Sequence, residues 1–432
     1  MNGEKTVAPK KFLFVSLEAL SGSLAWKVLR EGHQVRCFIG DRGDADVFNG
    51  FLEKVDNWKK HIDWADVVVF DDVGFGAEAD RLRKAKKLVV GGSLYTDRLE
   101  LDREFGSDEM KQAGLTTLQH WNFDNFPAAI KFLKENPARY VFKPSGEISS
   151  QDKGLLFIGR EEEGKDLLEV LESNAKAWSK RIKTFQLQKF AAGVEIAVGA
   201  FFDGNDFITP VCVNFEHKKL FPGDMGPSTG EMGTLMYWCE PNTIFRQTLA
   251  KLKTRLAAAH YTGYIDVNCI VNAKGIYPLE LTSRFGYPTV SIQMEGMLSA
   301  TGDFLYAMSR GEQYPLRTKR GFQIGVVIAV PPFPYTDKSE WDIYKDSTII
   351  FKKGTEGIYL GDVKLVDGAW RLAGQTGYVA VATGAGSTVE EARHQAYGRL
   401  KSIILQNMFY RTDIGKRWEE DSDRLQTWGY LY

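Results

Sequence analysis

The stretch FEHKKLFPGDMGPSTGEMG, residues 215–233, decides how the rest of the chain is read. Glycines at 223, 226, 230 and 233 and prolines at 222 and 227 break any regular helix, and glycine backbone lets N–H groups come close to an anion. An ordinary surface loop accounts for the glycines. It does not account for Glu216, His217, Lys218, Asp224 and Thr229 packed among them.

Outward from this loop, two further groups of residues carry chemistry. Downstream, Glu280 lies on the strand-like run IYPLELTSRFG with Arg284 four residues on, and Asp266 lies on the preceding run YIDVNCIV. Two carboxylates and a cation can then face one cleft, an arrangement suited to magnesium and phosphate oxygens; a half-buried strand with a wet face is the plainer reading. Upstream, Lys143 ends the run YVFKPS, and Lys153 follows across the polar turn PSGEISSQDKG. Two lysines flanking a hairpin can clamp phosphates and shield them from water, though each alone reads equally well as a solvated lysine. The remaining histidines, His33, His61, His120, His260 and His394, are scattered without ligand spacing.

The chain has 432 residues, enough for two to four subdomains. With 55 Lys plus Arg against 56 Asp plus Glu, its net charge is -1, so no overall field recruits nucleic acid or an anionic membrane. Cys37, Cys212, Cys239 and Cys269 are far apart and form no CxxC pair. The N-terminus shows no long apolar segment of a signal peptide, and no run of 18 apolar residues occurs. A cytoplasmic protein is expected, monomeric or homodimeric.

Residues 1–116 alternate short apolar runs (KFLFVSL from Lys11, HQVRCFIG from His33, DVVVF from Asp66, KLVVGG from Lys87) with helical patterns, which predicts a parallel sheet wrapped by helices. A ligand would meet such a sheet beyond its strand C-termini, near Ser16–Gly22 or Asp71–Gly76. The first βα turn, SLEALSGS, has no GxGxxG fingerprint. Residues 117–190 read as a small α+β lid with a helix near 165–180, and 191–320 as a β-rich unit with hairpins at Asp203–Asn205 and Asn272–Gly275 and a helix over 243–260. Residues 321–432 read as a compact α+β cap.

Five ordered segments resemble the phosphoribosylamine–glycine ligase family, members of the ATP-grasp class. HKKLFPGDMGPSTGEMG (217–233) resembles its His-Lys-Arg and Gly-Asp-x-Gly-Pro-Asn-Thr-Gly-Gly-Met-Gly signature, and ELTSRFGYP (280–288) its Glu-Phe-Asn-x-Arg-Phe-Gly-Asp-Pro. KFAAGVE (189–195) is similar to the family's hinge, LELDREFGSDEMKQAGL (99–115) to its linker, and GSTVEEARHQAYGRL with FYRTDIG (386–415) to its closing segment. The resemblance implies an ATP-grasp fold of mixed α/β and α+β class, with an N-terminal parallel-sheet domain, a lid and a C-terminal α+β cap. It implies an ATP- and magnesium- (or manganese-) dependent ligase joining a small carboxylate, such as glycine, to an amine through an acyl phosphate.

By the same resemblance Lys143, Lys153 and Arg103 lie at the ATP phosphates, and Gln188, Lys189 and Phe190 meet the adenine. Glu195 contacts the nucleotide and Glu280 holds the metal, with Thr282 at the family's asparagine position; Asp266, read above as facing the same cleft, completes the expected metal set. Lys218, Asp224 and Arg284 act on the reacting groups, while Asp224, Pro227, Ser228, Thr229, Gly230 and Arg284 surround the carboxylate. Four departures stand out. The family's Gly-Gly-Arg-Glu-His loop after its first strand is Leu17-Glu18-Ala19-Leu20-Ser21-Gly22-Ser23, whose Glu18 would repel a sugar phosphate. Thr282 replaces the metal-site asparagine, and Tyr287 and Glu231 replace a family aspartate and glycine. A ligase with an altered amine pocket is therefore expected, against two alternatives: the family's own reaction, or a nucleotide-binding relative without turnover.

Overall fold

The computed structural model describes residues 8–145, 155–335 and 337–431. Lys153 lies outside these residues. The N-terminal strands β1 (Lys11–Ser16), β2 (Gln34–Ile39), β3 (Val67–Phe70) and β4 (Leu88–Val90) form one sheet in the order β2-β1-β3-β4. Every pairing in it is parallel, as expected. Phe12–Val15 and Val67–Phe70 are buried throughout, which is why these strands read as unbroken apolar runs: helices cover both faces. Their carboxyl ends, at Ser16, Ile39 and Phe70, open on one edge.

The lid sheet has β5 (His120–Phe123), β6 (Tyr140–Pro144), β7 (Phe157–Ile158) and β8 (Phe185–Lys189) in the order β5-β8-β6-β7, with antiparallel pairings. Helices Phe126–Glu135 and Lys165–Trp178 close it over a separate core of Phe126, Phe142, Leu167, Leu171, Phe185 and Leu187. Asn125 starts the first helix by accepting from the N–H of Ala128.

The central part carries β9 (Val194–Asp203), β10 (Phe207–Glu216), the short pair β11 (Lys219–Phe221) and β12 (Met225–Ser228), β13 (Gly233–Cys239), β14 (Thr262–Asn272), β15 (Gly275–Thr282) and β16 (Phe322–Ala329). It is followed by β17 (Thr348–Phe351), β18 (Ile358–Leu360), β19 (Val363–Val366), β20 (Ala369–Leu372), β21 (Tyr378–Gly386) and β22 (Ile403–Ile404). The main sheet has eight strands, β15-β14-β9-β10-β13-β16-β21-β18. Four others, β19-β20-β17-β22, make a small outer sheet.

The α+β region after residue 320 joins the central sheet, because β16 pairs with β13 and β21 with β16. The physical reason is that β16 is apolar and buried on both faces, so β13 would otherwise present an unsatisfied edge. The helix expected over 243–260 is broken into Thr243–Gln247, a 3-10 turn Leu249–Leu252 and Lys253–Ala258. Thr248, buried and non-helical, donates its hydroxyl to the carbonyl of Ile244 and so competes with the helix backbone. The glycine-rich stretch is not an open loop: β11 and β12 pair antiparallel, with Gly223 and Asp224 at positive φ in the turn and Gly226 at positive φ within β12.

Helix Val389–Leu400 lies directly on β21 at Gly384, where an added Cβ would sit 2.3 Å from the carbonyl oxygen of Ala392 and 2.5 Å from the N of Ala396. Neither backbone atom can move without lifting the helix. Gly384→Ala should therefore cost about 1–3 kcal/mol by overpacking and lower the thermal midpoint; an unchanged midpoint in calorimetry would contradict this packing.

Candidate active site

Period-two alternation sets the site. Glu195 is the second residue of β9, Glu216 the last of β10, and Glu280 lies near the end of β15; β15, β14, β9 and β10 are consecutive in the sheet. Lys218 follows Glu216 by two positions and returns to the same side. Its Nζ lies 2.8 Å from Glu195 Oε1, 3.3 Å from Glu216 Oε2 and 3.8 Å from Glu280 Oε1. Burial works against a charged Lys218, yet the three carboxylates outweigh it and hold the ammonium well above its ordinary range. Asn268 on β14 donates to Glu216 Oε1 at 3.4 Å, fixing that carboxylate from below.

The lid contributes the opposite wall. Lys143, near the end of β6, is buried, and that burial, helped by the positive charges of Arg103 and Lys218, lowers its pKa to about 8 against the opposing pull of Glu280 and Glu195. Arg103 opens helix Arg103–Gln112, capped by the Asp102 side chain. The structure thus brings Lys143, Arg103, Lys218, Glu195 and Glu280, widely spread in sequence, within electrostatic reach of one another. At the hinge, Gln188 is buried in β8, the N–H groups of Lys189 and Phe190 donate to the carbonyls of Gln119 and Arg139, and the Arg139 guanidinium covers the Phe190 ring at 3.4 Å. Both N–H groups are thus already used within the protein.

Arg284 is held at the other end of the cleft. Its Nε lies 3.1 Å from Glu100 Oε1 and 3.5 Å from Asp72 Oδ1, and these charges raise its pKa although burial opposes them. A substrate carboxylate reaching Arg284 shares it with these two acids. Thr229 is fixed by its N–H and its hydroxyl, both donating to the carbonyl of Lys218, so the backbone around Pro227, Ser228 and Gly230 is anchored beside the cluster.

Two expected placements differ. Asp224 stands apart from the Lys218 cluster: its oxygens accept from Arg411 at 3.0 Å and Arg417 at 2.9 Å, and Gly223 N–H donates to Asp413. These bonds tie the hairpin tip to the C-terminal region. Asp266 is a poor metal ligand as it stands. It is 3 % exposed, and burial first, then the nearby Glu216, pushes its carboxyl well above the usual carboxylate range and so disfavours its charged form; it lies beside Thr282, its partner across the β14–β15 register.

An oxygen-seeking divalent cation nevertheless fits elsewhere. The Lys218 ammonium occupies a spot bounded by three carboxylates, so Glu280 with Glu216 or Glu195 can supply the anionic oxygens. Among the described residues no three acidic, His or Cys side chains already converge as a metal cage, so phosphate oxygens would have to complete the shell. Sequence reading passed over the roles of Glu216, Glu100 and Asp72. Only Glu216 had a usable signal, its two-residue spacing from Lys218.

Residues 101–290 match the family model of the phosphoribosylglycinamide synthetase ATP-grasp (A) domain, and 323–417 that of the C domain of the same synthetase. Together they take in about two thirds of the chain. The phosphoribosylamine–glycine ligase of Neisseria meningitidis serogroup B is 26 % identical across 94 % of this chain and 99 % of its own length. That of Caulobacter vibrioides is 27 % identical across 78 % and 80 %. Among solved structures, phosphoribosylamine–glycine ligase from Thermotoga maritima superposes with a TM-score of 0.71 at 23 % identity, covering 94 % of this chain and all of that one. N5-carboxyaminoimidazole synthetase from Staphylococcus aureus, solved with ADP, gives 0.57 at 13 % identity, over 91 % and 97 %. The fold is therefore ATP-grasp.

If Lys218 stands where a cation belongs, its removal should leave three mutually repelling carboxylates in need of one. Lys218→Met should bind Mn2+ at least about tenfold more tightly than the parent protein without nucleotide, read by electron paramagnetic resonance. Equal affinities would contradict this electrostatic account.

Proposed function

The chain belongs to the ATP-grasp family of phosphoribosylglycinamide synthetases, and from that premise we propose that it is an ADP-forming carbon–nitrogen ligase acting on a small carboxylate and an amine. The observation that carries the reading is the opposed arrangement in one cleft: Lys143 and Arg103 on one wall, and Lys218 among Glu195, Glu216 and Glu280 on the other. Cations for phosphates and carboxylates for magnesium are what phosphoryl transfer from ATP to a carboxylate requires.

In this reading Lys143 and Arg103, with Lys153, grip the ATP phosphates, and Glu280 with Glu216 or Glu195 carries the metal. The bound magnesium neutralises phosphate charge. Lys218 is drawn from its carboxylates toward the transferred phosphoryl group, and Arg284 with the backbone at 227–230 orients the acid. A carboxylate oxygen of the acid attacks the γ-phosphorus, and ADP departs with the bonding pair. The amine nitrogen, uncharged, then attacks the acyl carbon; the carbon–oxygen bond breaks, phosphate leaves carrying an oxygen of the acid, and the amine proton passes to solvent. A closed lid protects the acyl phosphate from water.

The acid is glycine or another amino acid. The amine pocket differs from that of phosphoribosylamine–glycine ligases, because Leu17–Ser23 stands in place of their glycine- and arginine-containing loop. One observation favours the second reading, a nucleotide-binding relative without turnover: Asp266 is buried, which disfavours its charged form, beside Thr282, where the family has asparagine. Release of ADP across a panel of amino acids and amines separates the two; ATP binding with no ADP release on any pair favours the second.

Two outcomes are expected. Glu280→Ala should retain the fold and lose turnover by at least about a hundredfold at fixed magnesium, as loss of a metal ligand demands; undiminished turnover would remove Glu280 from the metal site. Lys143, with a free-protein pKa of about 8, has its charged form favoured by phosphates, so ATP binding takes up a proton there. Affinity should then be full below pH 8 and fall as pH rises above it, with Lys143→Met flattening the profile in titration calorimetry. A parent profile flat across that window would contradict the phosphate contact.

A further inference from the structure

The main chain that carries Lys218 is gripped from behind by two arginines of the C-terminal region. Arg417 Nη2 donates to the carbonyl of Glu216 at 3.0 Å and Arg411 Nη1 to that of Lys219 at 2.9 Å, so the two contacts fall on either side of Lys218. The same guanidiniums hold the far end of the hairpin, Arg411 at Asp224 Oδ1 and Arg417 at Asp224 Oδ2. Asp413 accepts from Arg411 Nε at 2.8 Å and Nη2 at 2.7 Å, and from the N–H of Gly223 at 2.9 Å. Between Glu216 and Lys218, which face the cleft, His217 lies on the other side, where its charged neighbours are Arg417, Arg411, Asp413 and Asp224. Burial first, then the two arginines, lowers His217 to about 3, so its imidazole stays neutral and leaves both aspartates to the guanidiniums.

The grip is itself built on the core. Arg411 is 1 % exposed, and its carbonyl accepts from the hydroxyl of Tyr397 on helix Val389–Leu400. Arg393, one turn earlier on that helix, donates to the carbonyls of Thr412 and Ile414. Trp418 packs edge-on against Phe215, Tyr237 and Phe322. A buried guanidinium is costly unless its donors are answered, and each nitrogen of Arg411 has a carboxylate or a carbonyl. The planar fork of arginine takes a carbonyl and a carboxylate at once in fixed directions, which a lysine does not. Apolar contacts would suffice to cover the hairpin; directed bonds to the carbonyls flanking one residue fix where that residue stands.

We propose that Arg411 and Arg417 are positioning residues that set the reach of Lys218 into the cleft, so that the C-terminal region takes part in the reaction site through the backbone of residues 216–219. Glu195 lies on β9, so a shift of this segment changes the 2.8 Å spacing between Lys218 and Glu195 directly. The inference rests on the ligase reading for what Lys218 does in turnover; the hold on Lys218 stands on its own distances.

Lys218 reports its own position, because its carboxylates keep the amine protonated and only the unprotonated amine is acetylated. The test is acetic anhydride labelling of the full chain at pH 8, each lysine being read by peptide mass spectrometry. Arg417→Met keeps the apolar stem and removes both bonds; it should raise acetylation at Lys218 at least about tenfold, as for an ammonium whose hold on its proton weakens tenfold. Lys364, paired with Asp46 at 2.7 Å away from the cleft, should not change. Arg411→Met should act alike, and where near-ultraviolet circular dichroism shows it unfolded, Arg417→Met decides. Unchanged labelling of Lys218 in folded Arg417→Met overturns the proposal, as does a parallel rise at Lys218 and Lys364, which is general loosening. Labelling needs no substrate, so it is read apart from the ligase reading. With an acid and amine that support ADP release, kcat should fall at least about tenfold while KM for ATP holds, the split expected when only the reacting step loses a group; unchanged kcat overturns the link to the reaction. Labelling as expected with no turnover on any pair removes the ligase reading and keeps the positioning of Lys218.

Discussion

An ammonium held among three carboxylates, Lys218 among Glu195, Glu216 and Glu280, is the interaction around which the cleft is organised. One lysine cannot neutralise three acids, so the cluster keeps net negative charge. Among the described residues, cations reach it from other elements, Lys143 from the lid and Arg103 from the linker helix. Burial lowers the pKa of Lys143 to about 8 against the pull of Glu280 and Glu195, and the charge imbalance makes the site ready for magnesium and a polyphosphate together. Neither alone would balance the charge.

The sheet architecture supplies that arrangement at little cost in precision. Strands β9, β10, β14 and β15 are rigid and mutually hydrogen-bonded, so the three acids are fixed by backbone register. The lid, with its own core, carries Lys143 as a separate body. A rigid carboxylate floor and an independently packed cationic wall suit a site that must open for nucleotide and close against water.

Much of this was legible in the sequence, for identifiable reasons. The unbroken apolar runs at Phe12–Val15 and Val67–Phe70 can only be strands covered on both faces, and the Asp203–Asn205 and Asn272–Gly275 turns fix two hairpins locally. What escaped depends on long-range pairing. Nothing local tells that β16 docks on β13 and so merges the C-terminal region with the central sheet, or that Thr248 breaks a helix through a buried hydroxyl. In the site, Glu280, Lys143 and Glu195 were visible as motif residues. Asp224 looked like a substrate contact through its place in the family's Gly-Asp-x-Gly signature, but Arg411 and Arg417, nearly two hundred residues away, claim its oxygens. Asp266 looked like a metal ligand because sequence cannot show the burial that disfavours its charged form.

The central claim is that the cleft activates a carboxylate by phosphorylation before an amine attacks. The most direct measurement supplies the acid that supports ADP release with 18O in its carboxylate and follows the released phosphate by 31P NMR. Transfer of one labelled oxygen per phosphate is the predicted result. Phosphate free of label, with ADP still produced, would mean that water or the amine, and not the acid, meets the γ-phosphoryl group.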